Sequence, residues 1–267
     1  MFLVANSNTR KVMLGLGCTN MENKMCRGLF KFFSREGYRD DFLKGHLYFN
    51  SLNYFRKVEA SDVFGQNDPY ECCKIFQPNS IKVFFGQQEL NDLAGPVSIC
   101  GDDDVLKSYI MCFSTIRFDS QKQYASLDDL KRDVLFSEKM INYGEHAVVI
   151  PRMELFVERL KMAALKAGYD FAKGLVNYYD FSKDNISDEY PKIAFQKRSE
   201  FSYQREFRFL LRKKDAVDKE VILEIGDLSD IAQSCKSADL NGLLKINIGL
   251  RYKFCSLRRA KPANNLF

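Results

Sequence analysis

Tryptophan is missing from this chain, and histidine occurs twice, as His46 and His146. Neither histidine stands beside a Gly-x-Ser-x-Gly elbow, so the sequence supports no Ser/His/Asp or Cys/His triad. The cysteines (Cys18, Cys26, Cys72, Cys73, Cys100, Cys112, Cys235 and Cys255) form no Cys-x-x-Cys pair. Cys72 and Cys73 are adjacent and would not both bind one metal comfortably, so no metal site is expected. Asp102, Asp103 and Asp104 read as a solvated loop. No apolar run nears the roughly 20 residues that span a bilayer, which excludes a membrane partner. No Gly-rich phosphate loop is visible, because Gly15–Gly17 does not lie between a clear strand and a helix. The opening MFLVANSNTRKVMLGLG is broken by Asn6, Asn8, Arg10 and Lys11, unlike a signal peptide. Thiols without an export signal are expected to be free, in a reducing cytosol, and mostly core filler. A cytoplasmic location is therefore expected.

What the chain does have is ordinary globular material. With 46% hydrophobic and 28% charged residues over 267 positions, it can bury a large core in one domain. Phenylalanine (23) and tyrosine (13) supply most of the bulk. The net charge of +5 is too mild to imply nucleic acid by itself. Basic residues nonetheless gather at Arg251, Lys253, Arg258, Arg259 and Lys261, and again at Arg205, Arg208, Arg212, Lys213 and Lys214. Each cluster is either a solvated rim or a surface for a phosphate-rich partner.

Residues 1–25 read as irregular and 26–267 as a single α+β domain. Strands are expected at Leu29–Phe33, His46–Asn50, Ser80–Phe85, Tyr109–Phe113, Ala147–Ile150, Leu175–Tyr179, Glu206–Leu211, Val221–Ile225, Leu243–Ile248 and Tyr252–Cys255. Helices are expected at Arg39–Leu43, closed by Gly45, at Leu127–Phe136 behind the N-cap Ser126, at Met153–Ala167 closed by Gly168, and at Asp227–Cys235. The order predicts mixed, mainly antiparallel β-sheets with a few flanking helices rather than regular βαβ alternation.

Polar residues interrupt the apolar pattern at four places. In FSYQREFRFLL (Phe201–Leu211), strand alternation puts Gln204 and Glu206 on one face. A carboxylate beside an amide can orient a sugar hydroxyl or stabilise a developing cation; equally, Glu206 can pair with Arg208 on an outward polar face. In MCFSTIRF, Ser114 and Thr115 either bind a ligand or simply end the strand. In NYGEH, Tyr143 and His146 stand at a strand entrance, where they can stack on a flat ligand or serve structure alone. NDPYE, residues 67–71, is a stiff turn.

These segments fall in a recognisable order. LFKFFSREGYRDDFLKGHLYFNSLNYFRKVE followed by QNDPYE resembles the opening of a bacterial domain family of poorly defined function, marked by an Asn-Asp-Pro-Phe-Glu turn. CFST, MINYGEHAVVI and QKRSEFSYQREFRF are similar to its later segments. Ile141 stands where that family has Trp, Ala147 replaces a Gly, and Gln204 replaces the first Glu of its final motif. The resulting Gln-x-Glu resembles the catalytic loop of ADP-ribosyltransferases, and Ser114-Thr115 resembles their central Ser-Thr-Ser strand. The resemblance implies an ADP-ribosyltransferase-like fold and a glycosyltransferase that uses NAD as substrate. It implies that Glu206 stabilises the ribosyl cation and Gln204 meets the acceptor. It places Lys31, Phe33, Arg35, Tyr48, Ser114, Thr115, Tyr143 and His146 around the dinucleotide. It further implies an RNA, DNA or protein acceptor, a toxin or phage-defence role, and an antitoxin partner. The alternative is a non-catalytic nucleic-acid- or protein-binding domain of a defence system.

Overall fold

The computed structural model describes residues 24–57, 68–90, 94–100, 103–119, 122–217 and 219–246. Among these, eight strands make the central sheet: β1 (Lys24–Phe33), β2 (His46–Ser51), β3 (Tyr109–Asp119), β4 (His146–Ile150), β5 (Asp170–Leu175), β6 (Glu206–Arg212), β7 (Val221–Glu224) and β8 (Gln233–Lys236). Their order is β7-β2-β3-β1-β4-β8, with β6 also paired to β3 and β5 lying beyond β6. Every pairing is antiparallel. The mixed α+β, mainly antiparallel expectation holds.

The sheet is covered on both sides, and successive residues of β1 show it. Leu29 enters a core with Phe113, Phe156, Phe207 and Phe209. Phe30 enters a second core with Ile116, Met140, Ala147 and Leu240. That is the two-residue alternation of a strand whose faces both lack solvent. Helix α1 (Glu36–Leu43) follows β1, and helix α2 (Met153–Lys166) follows β4. Phe156, Leu160 and Ala164, spaced by one turn, bury the inner face of α2. Phe156 meets Phe113 and Phe209 at ring-centre distances of 5.4 and 5.7 Å. Removing a fully buried ring of this kind costs about 3–5 kcal/mol.

The connection out of α1 depends on Gly45. Its φ is +92°, and a Cβ there would lie 2.0 Å from the carbonyl oxygen of Gly226. Only glycine meets both conditions. In β2, Leu47, Phe49 and Ser51 turn inward and His46 and Tyr48 outward, as the alternation predicts.

Several expectations need correction. Ser114 and Thr115 do not end their strand, because β3 runs on to Asp119 and pairs with β1 there. Ser199–Gln204 is a 3-10 helix, so β6 begins only at Glu206. Asp227–Cys235 is not a helix; it turns after Leu228 and then joins the sheet edge as β8, pairing with β4. Within Ser80–Phe85, only Val83–Phe85 is a strand, preceded by a 3-10 turn at Pro78–Ser80 and forming a small hairpin with Gln88–Leu90. Leu175–Tyr179 is split at Val176 between β5 and the short strand Asn177–Tyr179. Leu243 closes a short helix, Leu240–Leu243, rather than opening a strand. Cys73 and Cys100 form a disulfide, against the expectation of free thiols throughout. Residues 1–23, 62–67, 247–248 and 252–255, for which expectations were stated, and the basic cluster from Arg251 to Lys261, lie outside the described residues. Among the described residues, no helix is long and apolar enough to cross a membrane.

Candidate functional site

Three neighbouring strands align the residues singled out by the sequence. Ser114 on β3 pairs with Phe30 on β1 on one side and with Glu206 on β6 on the other. Lys31 follows Phe30. Gln204 reaches the same place by a different route from the one strand alternation predicts. The 3-10 helix Ser199–Gln204 ends at Arg205, which adopts a left-handed φ of 48°. That single residue turns the chain into β6. Gln204 and Glu206 thereby meet one amine: Lys197 Nζ donates to Gln204 Oε1 at 2.7 Å and to Glu206 Oε1 at 2.5 Å.

Glu206 is held on its other oxygen as well. Arg208 Nε donates to Oε2 at 2.8 Å. The rest of the Arg208 fork reaches away from β6 to the NDPYE turn, where Nη1 and Nη2 donate to Glu71 Oε1 and Oε2 at 2.5 and 3.1 Å. Nη1 also donates to the Ala194 carbonyl at 2.6 Å. In the same turn Asp68 Oδ1 accepts from the Tyr70 amide at 3.1 Å and from Arg198 Nε at 2.9 Å. Asp68, Glu71 and Glu206 thus balance Lys197, Arg198 and Arg208. Glu71, Glu206 and Arg208 are almost wholly shut off from solvent. Charges this deep persist only when paired and hydrogen-bonded.

The backbone of Glu206 is fixed equally firmly. Its amide donates to Tyr178 Oη at 2.9 Å, and its carbonyl accepts from the Val176 amide at 3.0 Å and from Arg117. Ser114 Oγ donates to the Gln204 carbonyl at 2.7 Å, which secures the end of the 3-10 helix rather than the carboxylate itself.

The electrostatics follow from these contacts. Burial works against ionisation of Glu206, but Arg208 and Lys197 outweigh it and hold the carboxyl well below the ordinary glutamate range. Burial lifts Glu71 above its ordinary value; Arg208 opposes the rise, and the nearby Asp68 charge adds to it. The contrast is physical: Lys197 and Arg208 both hydrogen-bond Glu206, whereas Arg208 bonds Glu71 directly and Lys197 acts on it only from a distance. Burial lowers the Lys31 amine and pushes the Cys112 thiol up to about 12.

A small cavity of about 70 Å³ opens onto this network, lined by Phe30, Lys31, Ser114, Tyr143, Gln204 and Glu206, among others. Tyr143 also lines a larger hollow of about 670 Å³, with Asn142, Gly144, His146, Lys236 and Ser237. That is within the range of about 300–1,000 Å³ typical of small-molecule sites.

The predicted residues therefore divide. Lys31, Ser114, Tyr143, Gln204 and Glu206 converge on the small cavity, and His146 lines the larger one. Lys31 Nζ donates to the Cys112 carbonyl at 3.1 Å and lies 5.3 Å from the Phe113 ring centre. His146 Nδ1 is 3.4 Å from Arg39 Nη1. Phe33 is packed in the first core, and its neighbours Phe30 and Phe32 reach the cavity instead. Arg35 flanks the start of α1 with its guanidinium over Tyr38. Tyr48 is half exposed on the outer face of β2. Thr115 Oγ1 donates to the Gly28 carbonyl at 2.8 Å, on the opposite side of β3 from Ser114.

Sequence reasoning missed Lys197, Asp68 and Glu71 as members of the site, and the alternative of an outward-facing Glu206–Arg208 pair fails because both residues are buried. A signal was present. Charged residues inside otherwise apolar or aromatic segments must find partners of opposite sign, and NDPYE and QKRSEF supply them. Among the described residues, no group of His, Cys, Asp and Glu is placed to hold a metal ion. In comparisons with protein-family models, curated proteins and solved structures, nothing matches this chain.

Proposed function

We propose that this chain is an ADP-ribosyltransferase-like enzyme that uses NAD as substrate and modifies a nucleic acid or protein. The observation that carries the reading is the convergence of Lys31, Ser114, Gln204 and Glu206, from three adjacent strands and one 3-10 helix, on a single cavity. Breaking the bond between ribose and nicotinamide develops an oxocarbenium-like cation. Glu206 is kept ionised, so a positive charge forming beside it meets a carboxylate, one shared with Lys197 and Arg208. One contact per oxygen still leaves a carboxylate acceptor capacity for a ribose hydroxyl. Gln204, tied to the same lysine, faces the acceptor. Tyr143 stacks on the nicotinamide, and the hollow beyond it takes the remainder of the dinucleotide. A toxin or phage-defence role, with an antitoxin partner, accords with such an activity.

The test is NAD turnover and acceptor labelling by the purified protein and by Glu206→Gln and Ser114→Ala, with folding checked by circular dichroism. Turnover lost in folded Glu206→Gln supports the reading. Absence of both turnover and labelling in the wild type, with the cellular effect intact in Glu206→Gln, ends it.

A second reading is a non-catalytic binding domain of a defence system. It is favoured by the ion pairs on both Glu206 oxygens, the arrangement of a structural lock. On that reading Glu206→Gln changes stability and leaves partner capture unaltered.

A further inference from the structure

The strand that begins at Glu206 ends, about 20 Å away at about 3.3 Å per residue, in a second charged hollow. Lys107, Asp170, Arg212, Lys213, Lys214 and Ala216 line a space of about 210 Å³. The topology explains the gathering. Leu211 pairs with Tyr109 and Arg212 with Asp170, so the residues around these positions share one end of the sheet. Lys107 lies just before β3. After Arg212 the chain turns at once, and the Ala216 amide donates to the Lys213 carbonyl at 3.1 Å, which folds Lys213 and Lys214 back over the strand end. Tyr109 Oη donates to the Val217 carbonyl at 2.6 Å and pins the far side of that turn.

The cations are braced. The Arg212 guanidinium lies 4.5 Å from the Tyr190 ring centre, and Lys213 Nζ lies 5.5 Å from that of Tyr169. Both long side chains thus lose part of their freedom before any ligand arrives, which lowers the entropy cost of binding. Arg212, Lys213 and Lys214 face one carboxylate, Asp170, in a concave space. The charge calls for an anion, and the size, below the roughly 300 Å³ of sites for drug-sized ligands, calls for a compact one. An arginine fork flanked by lysines matches the oxygens of a phosphate group.

We propose that this hollow is a binding site for a phosphate group, either of a nucleic-acid backbone or of a small phosphate compound. It does not depend on the chemistry at Glu206. The experiment measures binding of three probes at low ionic strength in phosphate-free buffer: inorganic phosphate, pyrophosphate and a fluorescent single-stranded oligonucleotide. The proteins are the wild type, Lys213→Ala/Lys214→Ala, Arg212→Ala, and Lys131→Ala/Arg132→Ala. The lysine pair is exposed, so its removal leaves the fold intact. The last double variant removes equal charge from an exposed helix at the other end of the sheet. At least one probe is expected to bind the wild type and to bind the lysine-pair variant at least about tenfold more weakly, as loss of hydrogen bonds to a charged group implies. The control variant is expected to bind as the wild type does. Binding of the oligonucleotide alone identifies a backbone phosphate, and binding of the small anions identifies a free phosphate compound. The proposal is overturned if no probe binds the wild type, if the lysine-pair and Arg212 variants bind unchanged, or if the control loses as much as they do.

Discussion

Arg208 ties Glu206 to Glu71, which lies 137 residues before the arginine in sequence, with one guanidinium nitrogen on the first carboxylate and two on the second. The contact joins the start of β6 to the NDPYE turn, and Lys197 completes the arrangement from the 3-10 segment's approach. A buried network of this kind adds little net stability over a well-packed apolar one, but losing one member leaves uncompensated charge. Its value here is positional: it gives Glu206 one orientation.

Arg208→Met should therefore cost about 3–5 kcal/mol. Urea unfolding measures it. Arg208→Lys, which keeps the charge but not the bidentate grip on Glu71, should fall between that variant and the wild type. Combining Arg208→Met with Glu71→Gln should cost less than the two changes added together, since the second removes a carboxylate the first has stranded. Strict additivity would mean that the pair is not energetically coupled.

Stability should depend on pH through Glu206 in one direction. Its folded value lies below its unfolded one, so its contribution is complete above the ordinary glutamate value of about 4.3 and fades as pH falls towards the lowered folded value. Urea midpoints for the wild type and Glu206→Gln should differ by a constant amount from pH 7 down to that range and converge below it. Glu71, raised rather than lowered, acts in the opposite sense, so Glu71→Gln should give a gap that does not close in the same way. A wild type–Glu206→Gln gap that widens on acidification contradicts the assigned direction.

Gly144 sits between Tyr143 and the strand carrying His146. A Cβ there would lie 2.5 Å from the backbone carbon and oxygen of Phe33, so Gly144→Ala forces β1 and this loop apart. A loss of about 1–3 kcal/mol is expected, as for other overpacked sites. Gly37, in α1 with nothing within 4 Å of its Cβ position, serves as the contrast. Gly37→Ala should be stabilising by about 0.5–1 kcal/mol, the helix-propensity gain. Thermal unfolding of the two variants decides between these outcomes.

Thiol labelling followed by mass spectrometry should separate the cysteines. Cys112, partly buried and raised to about 12, should resist alkylation in the folded protein at pH 8 and react faster once it is unfolded. Cys72, also partly buried and raised, should behave alike. Cys73 and Cys100 should become labelled only after reduction. Rapid native labelling of Cys112 would mean that the Glu206 cavity opens to solvent.

Much of the fold is legible in local pattern. β2 alternates, α2 repeats its apolar residues each turn, and Ser126 caps the helix that follows it by accepting from the Asp129 amide. These features need only near neighbours. β8 was hidden because Gln233–Lys236 is a polar edge strand whose pairing with β4 no local pattern announces. The junction before β6 was misread for a related reason. The alternation of FSYQREFRFLL fits a strand, but the hydrogen bonds of Lys197 to Gln204 and Glu206 and the left-handed turn at Arg205 favour a 3-10 helix.

Glu206 shows where the division falls. The sequence alone determined that a carboxylate and an amide stand two residues apart in an aromatic segment, and that a carboxylate so placed needs a cation. Tertiary structure decided which cations answer it. Coulomb energy depends on distance in space, and only the folded sheet brings Lys197, Arg208 and, through Arg208, the Glu71 turn to within hydrogen-bond reach of one another.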